Sequence, residues 1–219
     1  MCGRYSLSTP VDHLIEVFDV PPVTFDYRPR YNIAPSQDVP VVASDKQGTR
    51  LGLLRWGLVP PWADDPAIGS RMINARAETL LDKPSFRKAA VSRRCLVPAD
   101  GFYEWAKEGS GKVPYWIHPP DREPMGLAGI WERWHREGSE PVYSMAIITV
   151  DANEGIRHLH HRMPAILPPA DRKAWLDPET PEADALSLLK PYGGALEAYP
   201  VSTLVNSPAN DEPACIEPA

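Results

Sequence analysis

The chain changes its hydrophobic rhythm several times. "STPVDHLIEVF" puts Val11, Leu14, Ile15 and Phe18 at helical spacing, with Thr9 placed to cap and Pro10 suited to the first turn, so a helix is expected. "PPVTFDYRPRYNIAPSQ" has no period and reads as a proline-rich loop. "DVPVVAS" and "TRLGLLRWGLV" read as strands paired through a turn at "DKQG". "PPWADDPAIGSRMINARAET" reads as a long functional loop. "LLDKPSFRKAAVSR" is predicted helical at both ends, with a break at Pro84.

Short β-like runs follow: "RCLVPAD", "GFYEWAK", "VPYWIHP", "GLAGIWERW" and "PVYSMAIITV". "ANEGIRHLH" reads as a short helix and "MPAIL" as a strand. "PADRKAWLD" and "PEADALSLLK" are helices with proline in the first turn, and "LEAYPVSTLV" is a final strand. There is no βαβ rhythm and no internal repeat. The expected class is α+β: one domain with a mostly antiparallel, barrel-like β-sheet and peripheral helices. We place that domain at residues 1–206 and expect residues 207–219 to form a disordered C-terminal tail.

Composition adds limits. The 219 residues are 43% hydrophobic and 24% charged, as in an ordinary globular domain. No apolar run approaches the ~20 residues of a membrane span, and no basic stretch followed by an apolar one marks a signal peptide, so a cytoplasmic protein is expected, with the nucleoid if its source is a bacterium. The formal net charge of −6 argues at first against a nucleic-acid partner. Its distribution does not. Residues 177–219 hold eight acidic side chains and one basic, leaving residues 1–176 with 21 acidic and 22 basic. Arginine outnumbers lysine 16 to 7, and Arg is the better partner for bidentate phosphate contact.

The three cysteines, Cys2, Cys95 and Cys215, are widely spaced and lack disulfide or zinc patterns. No metal or other cofactor is expected. Cys95 sits in an apolar run and reads as a core thiol, while Cys215 reads as an exposed tail residue. Cys2 is different. Once Met1 is removed, it carries an α-amine beside its thiol, a 1,2-aminothiol that reacts readily with aldehydes. An α-amine titrates near ~7.7–8.0 and a thiol near ~8.5, so neutral amine and thiolate are both accessible near neutral pH. On position alone, Cys2 also reads as the plain start of an edge strand.

Four loops gather polar and aromatic residues: "RWGLVPPWA" with Arg55, Trp56 and Trp62; "MINARAET" with Asn74, Arg76 and Glu78; "GFYEW" with Phe102, Tyr103, Glu104 and Trp105; and "HLHHRMP" with His158, His160, His161 and Arg162. Trp56 and Trp105 fit a core as well as a ligand platform.

"MCGRY", "RYNIAPSQ", "RWGLVPPWA", "NARAET", "GFYEW", "TVDAN" and "HHRMPAIL" occur in this order, and together they resemble the SRAP family, the SOS response-associated peptidase-like proteins. The resemblance runs from Cys2 to about residue 206. It implies binding of single-stranded DNA and reaction with abasic sites. The Cys2 amine condenses with the lesion's aldehyde to an imine, and the thiol closes a thiazolidine that shields the lesion. An associated lyase activity is also implied. Glu104 resembles the family's acid/base carboxylate, Asn74 the amide that orients the sugar or the Cys2 amine, and His160 the histidine that acts on the sugar hydroxyl. The family pattern is His, any residue, Arg, so counting back from Arg162 selects His160, with His161 the alternative. DNA binding is expected from Arg4, Arg76 and Arg162 on phosphates, Asn32 and Thr149 as polar helpers, and Trp62 as a stacking platform. A monomer is expected. Two other functions fit some of these residues: an N-terminal-nucleophile cysteine peptidase or hydrolase, and a single-strand-binding module in which Cys2 is idle.

Overall fold

The computed structural model describes residues 2–45 and 47–219. The chain begins with β1 (Tyr5–Leu7), α1 (Val11–Phe18), β2 (Arg30–Ile33), β3 (Asp38–Asp45) and β4 (Gly48–Trp56). It continues through β5 (Asn74–Arg76), α2 (Arg87–Ser92), β6 (Arg94–Ala99), β7 (Gly101–Glu108) and β8 (Gly111–His118). The remainder comprises β9 (Met125–Trp134), β10 (Val142–Asp151), β11 (Arg162–Pro164), β12 (Ile166–Leu167), α3 (Pro169–Leu176), α4 (Glu182–Ser187) and β13 (Glu197–Pro200).

β10, β4, β3, β6 and β9 form a ring, because β9 also pairs with β10. Every contact in this ring is antiparallel except the short β4–β10 pairing at Arg55–Ser144 and Trp56–Met145. The expected α+β class with a barrel-like sheet is therefore present. β10 is covered on both faces: residues 144–150, "SMAIITV", are all buried, Ser144 and Thr149 among them. β10 also changes neighbours along its length. Past the end of β4, β5 lies parallel to it, with Asn74 opposite Ile147. A second antiparallel sheet, in the order β13-β8-β7-β1-β2, carries the N-terminus.

Pattern reading located the strands more accurately than the helices. α1 forms with Leu14 and Phe18 buried, but Thr9 does not cap it; its hydroxyl donates to Asp100 at 2.6 Å. Only the second half of "LLDKPSFRKAAVSR" is helical. "ANEGIRHLH" forms turns instead of a helix, held by the Ala152 N–H to the His161 carbonyl at 2.9 Å and by Asn153. "MPAIL" splits at Ala165, which donates to Ile148 on one side and accepts from Ala128 on the other. The last expected strand stops at Pro200 and gives way to a 3-10 turn at Thr203–Asn206. The turn expected at "DKQG" includes Lys46, which lies outside the described residues.

The expected disordered tail is a correction. Residues 207–219 fold back onto β2. Asp211 pairs with Arg30 and accepts from the backbone N–H groups of Tyr31 and Asn32. Val201 bridges to Pro218, and Cys215 is fully buried, so it is not an exposed thiol. Proline and acidic residues suggested disorder. Here the prolines stiffen a loop, and an acidic side chain satisfies the edge of a strand.

Candidate functional site

Cys2 precedes β1, and the register of β1 on β7 determines what it meets. Tyr5 lies opposite Phe102, and the Tyr103 N–H donates to the Arg4 carbonyl at 3.0 Å. Continuing that pairing toward the N-terminus puts Gly3 opposite Glu104 and Cys2 one step beyond, where the charge of Glu104 acts on its thiol. Asp100 fixes the other end of β1. Its carboxylate accepts from the Ser8 N–H, the Ser8 hydroxyl, the Thr9 N–H and the Thr9 hydroxyl. Gly101, which opens "GFYEW", is required by packing: a Cβ there would lie 2.4 Å from Trp116 Nε1.

Three separate segments reach this place. β5 delivers Asn74, whose amide donates to the Cys2 carbonyl at 2.7 Å. β7 delivers Glu104, which is 4% exposed. The turns before β11 deliver His160, whose Nδ1 is 3.9 Å from Glu104 Oε1. The Arg162 N–H also approaches that Nδ1, at 3.0 Å. His161 stacks on His160 with ring centroids 4.4 Å apart and is exposed. This geometry favours His160 over His161 as the residue facing the carboxylate.

Burial dominates the electrostatics. It pushes the Cys2 thiol up to about 12, with the negative charge of Glu104 adding to the effect. The accessible thiolate expected from free-residue values is therefore disfavoured here by burial beside Glu104. Burial also raises the Glu104 carboxyl above its ordinary value and lowers the His160 imidazole below its own, leaving His160 neutral near pH 7. Met1, on whose removal the amine chemistry depends, lies outside the described residues.

The six residues expected to contact DNA divide sharply. Arg76 is exposed, and strand alternation puts it on the same face of β5 as Asn74. Trp62 is 52% exposed. The other four point inward or are held by protein groups. The Asn32 amide is buried and donates to the carbonyls of Val205, Ser207 and Asn210. Thr149 is buried and donates to the Ala75 carbonyl. Arg4 donates to Asn32 and to the Val205 carbonyl, both at 2.7 Å, with its guanidinium over Trp105. Arg162 is 7% exposed; its Nη atoms bond Glu78 through both oxygens, Asp151 and the Thr149 carbonyl. An arginine with its fork already filled by carboxylates has little left for a phosphate.

Sequence reasoning missed two supporting residues. Asp100 ends one expected strand just before the glycine that opens the next, and nothing local announces its four-bond anchor. Arg136 donates to the carbonyls of Trp62 and Ala63 at 3.1 and 3.0 Å and so holds the Trp62 loop. The loop folds tightly because Gly57, at φ +132°, passes Gly69 so closely that a Cβ on Gly57 would lie 2.6 Å from the Gly69 carbonyl oxygen. Among the described residues, no cluster of three His, Cys, Asp or Glu converges on a metal position, and no helix is long and apolar enough to cross a membrane.

Comparison with known proteins gives a consistent set. The chain is 47% identical over 222 residues to the abasic site processing protein YoqW of Bacillus subtilis (strain 168), covering 99% of each chain. It is 40% identical over 225 residues to the abasic site processing protein HMCES of Gallus gallus, covering 88% of this chain and 67% of that one. A crystal structure of a protein from Bacteroides thetaiotaomicron superposes with a TM-score of 0.89 at 29% identity, covering 100% of both chains. The model of the family described as SOS response associated peptidase (SRAP) matches residues 1–208. With nearly its whole length accounted for in this way, the chain belongs to the SRAP family.

Proposed function

We propose that this protein processes abasic sites in DNA by bonding covalently to them through Cys2, with single-stranded DNA as its substrate. The observation that carries the reading is the convergence of Asn74, Glu104 and His160, from three distant segments, on the second residue of the chain. The names of the relatives support the same lesion. One chain supplies every group invoked, so a monomer suffices, and we place it in the cytoplasm.

The reaction starts with the α-amine freed by removal of Met1. The amine adds to the C1′ aldehyde of the ring-opened sugar to give a carbinolamine, and loss of water gives the imine. The thiol then adds across the C=N bond: a C–S bond forms, and the thiol proton ends on the ring nitrogen. The raised thiol pKa favours this order, because a protonated thiol is a poor first nucleophile. Glu104 relays protons through the carbinolamine and passes the thiol proton on to the ring nitrogen during closure. Neutral His160 serves the sugar hydroxyl during ring opening. Both nucleophiles sit on one residue, so closure is intramolecular. An imine that does not close can lose an α-proton and eliminate the 3′ phosphate, which is the lyase route.

A peptidase reading is less well supported. It needs donors around a tetrahedral oxyanion beside the thiol, and the Asn74 amide that would have to serve is committed to the Cys2 carbonyl.

The test is direct. Protein mixed with single-stranded DNA bearing one abasic site should give a heat-stable shift on a denaturing gel. Cys2→Ala, or one extra residue retained ahead of Cys2, should abolish the shift while leaving the fold intact. A normal cross-link from protein retaining Met1 would overturn the mechanism.

A further inference from the structure

The segment that carries Cys2 and the strand that carries Glu104 are gripped together by residues from the far end of the chain. Arg4, two residues after Cys2, donates through Nη1 to the Val205 carbonyl at 2.7 Å. Trp105, next to Glu104 on β7, donates through Nε1 to the Asn206 side-chain oxygen at 2.7 Å. The Arg4 guanidinium also lies over the Trp105 ring, 5.8 Å from its centroid. By strand alternation Trp105 is on the face of β7 opposite Glu104, so this grip comes from behind and leaves the reacting face open. The grip is itself held. The Asn32 amide nitrogen donates to the carbonyls of Val205, Ser207 and Asn210, at 3.2, 2.9 and 2.6 Å, which leaves its oxygen to accept from Arg4 Nη1 at 2.7 Å. Asp211 then closes the segment onto β2: it pairs with Arg30 and accepts from the N–H groups of Tyr31 and Asn32.

We propose that residues 205–211 are a strap that holds Cys2 in register with Glu104, with Asn32 and Asp211 as positioning residues for the cross-linking reaction. The strap rests on the reading of Cys2 as the residue that bonds to the lesion. A chain terminus frays unless it is tied down. β1 is only three residues long, and ahead of it the Arg4 and Cys2 carbonyls are held by the Tyr103 N–H and the Asn74 amide. The Arg4 side chain adds a tie of a different kind, because it spans 201 positions of sequence to Val205. No carboxylate pairs with Arg4 among the described residues, so the neutral acceptors of Asn32 and Val205 fix its guanidinium. Since Val205 and Asn206 are adjacent, the bonds from Arg4 and Trp105 end on one short piece of backbone. Any shift of that piece moves the nucleophile's segment relative to β7, and reaction with an aldehyde depends steeply on such placement.

The experiment uses the full chain with Asp211→Ala, Asp211→Asn and Asn206→Ala. Three quantities are read: the single-turnover rate of cross-linking to an abasic strand, the affinity for a strand carrying a tetrahydrofuran abasic analogue (which has no aldehyde), and the labelling of each cysteine by iodoacetamide. The three cysteines are buried and report on different places: Cys2 on the site, Cys215 on the tail and Cys95 on the core. Asp211→Ala should slow cross-linking about tenfold, since a ~1 Å misplacement costs up to ~10²-fold. Affinity for the analogue should be unchanged. Cys215 and Cys2 should both become labelled while Cys95 stays protected, because the loosened N-terminus exposes a thiol that burial otherwise silences. Asp211→Asn keeps an oxygen for the Tyr31 and Asn32 N–H groups and should recover most of the rate. Asn206→Ala, at an exposed position, removes only the Trp105 bond and serves if Asp211→Ala does not fold; it should slow cross-linking by a smaller factor with Cys215 still protected. An unchanged rate in folded Asp211→Ala, or in Asn206→Ala where only that variant folds, would overturn the strap. Labelling of Cys95 together with the other two would do so as well, by reducing the segment to a general stabiliser. So would equal losses of rate and affinity, which would make it a DNA contact. If wild type forms no cross-link while Asp211→Ala still unmasks Cys2, the strap stands and the Cys2 chemistry falls.

Discussion

The Asn74 side-chain amide donates to the backbone carbonyl of Cys2 at 2.7 Å, across 72 positions of sequence. One amide on β5 therefore fixes the residue proposed to carry both nucleophiles. Its carboxamide oxygen is buried without a partner among the described residues, leaving an acceptor for an N–H such as the Cys2 α-amine.

Asn74→Ala should slow cross-linking about fivefold, the equivalent of one hydrogen bond worth ~1 kcal/mol, with little loss of DNA affinity. Asn74→Asp should be worse, because it turns an acceptor toward the Cys2 carbonyl. Single-turnover rates compared with binding measured on the same variants check this. Equal losses of rate and affinity would make Asn74 a DNA contact instead.

Glu104→Gln should separate stability from activity. Burial raises the Glu104 carboxyl in the folded state, so the fold holds that proton more tightly than the unfolded chain does. The resulting stability is full below the unfolded value and is lost as pH rises through the raised folded value. Glutamine has no such dependence. The variant should therefore gain thermal stability over wild type near neutral pH, with the gain shrinking as pH falls toward 4.5. Its cross-linking rate should drop by ~10²–10⁴-fold where proton transfer limits the reaction. Melting curves across pH and single-turnover cross-linking are the measurements.

Cys2→Ser tests the order of bond formation. The amine remains, and the thiol becomes a poor nucleophile. Borohydride should trap an imine between the variant and abasic DNA, and without reductant the complex should not survive heating. Wild type should give a heat-stable adduct with no reductant. A variant that binds the DNA yet yields neither a trapped adduct nor strand cleavage would mean that the thiol attacks first.

Arg76 and Arg162 should fail in different ways. Arg76→Ala should weaken single-strand binding across all sequences and lower its salt slope by about 0.7. Arg162→Ala should instead cost about 1–3 kcal/mol of stability through its lost charged hydrogen bonds, with the slope nearly unchanged. Salt titrations and melting curves on both variants decide the matter. A slope lost in Arg162→Ala would return that residue to the strand.

Trp62 and Arg136 should be coupled. Trp62→Ala is expected to weaken binding by about 1–3 kcal/mol if the ring stacks on a base. Arg136→Ala should lose part of that by loosening the loop, and should lose almost nothing further once Trp62 is already alanine. A double-mutant cycle on single-strand affinity measures the coupling; additive losses would show that Arg136 acts on its own.

Local pattern carried much of this architecture. Alternation and turn residues located β3, β4 and β6–β10, because strand periodicity and hairpin turns are local properties of the chain. The ordered motifs likewise pointed to Cys2, Asn74, Glu104 and His160 before any geometry was known. Other features depended on the fold. Whether Arg162 faces a phosphate or two carboxylates is decided by Glu78, 84 positions away. Whether residues 207–219 are ordered is decided by the open edge of β2, which Asp211 satisfies. The Cys2 thiol is raised because the β1–β7 register buries it beside Glu104. Sequence spacing records the chemistry each residue can perform. Burial and hydrogen-bond partners come from segments distant in the chain, so only the tertiary structure decided which of those residues are free to act.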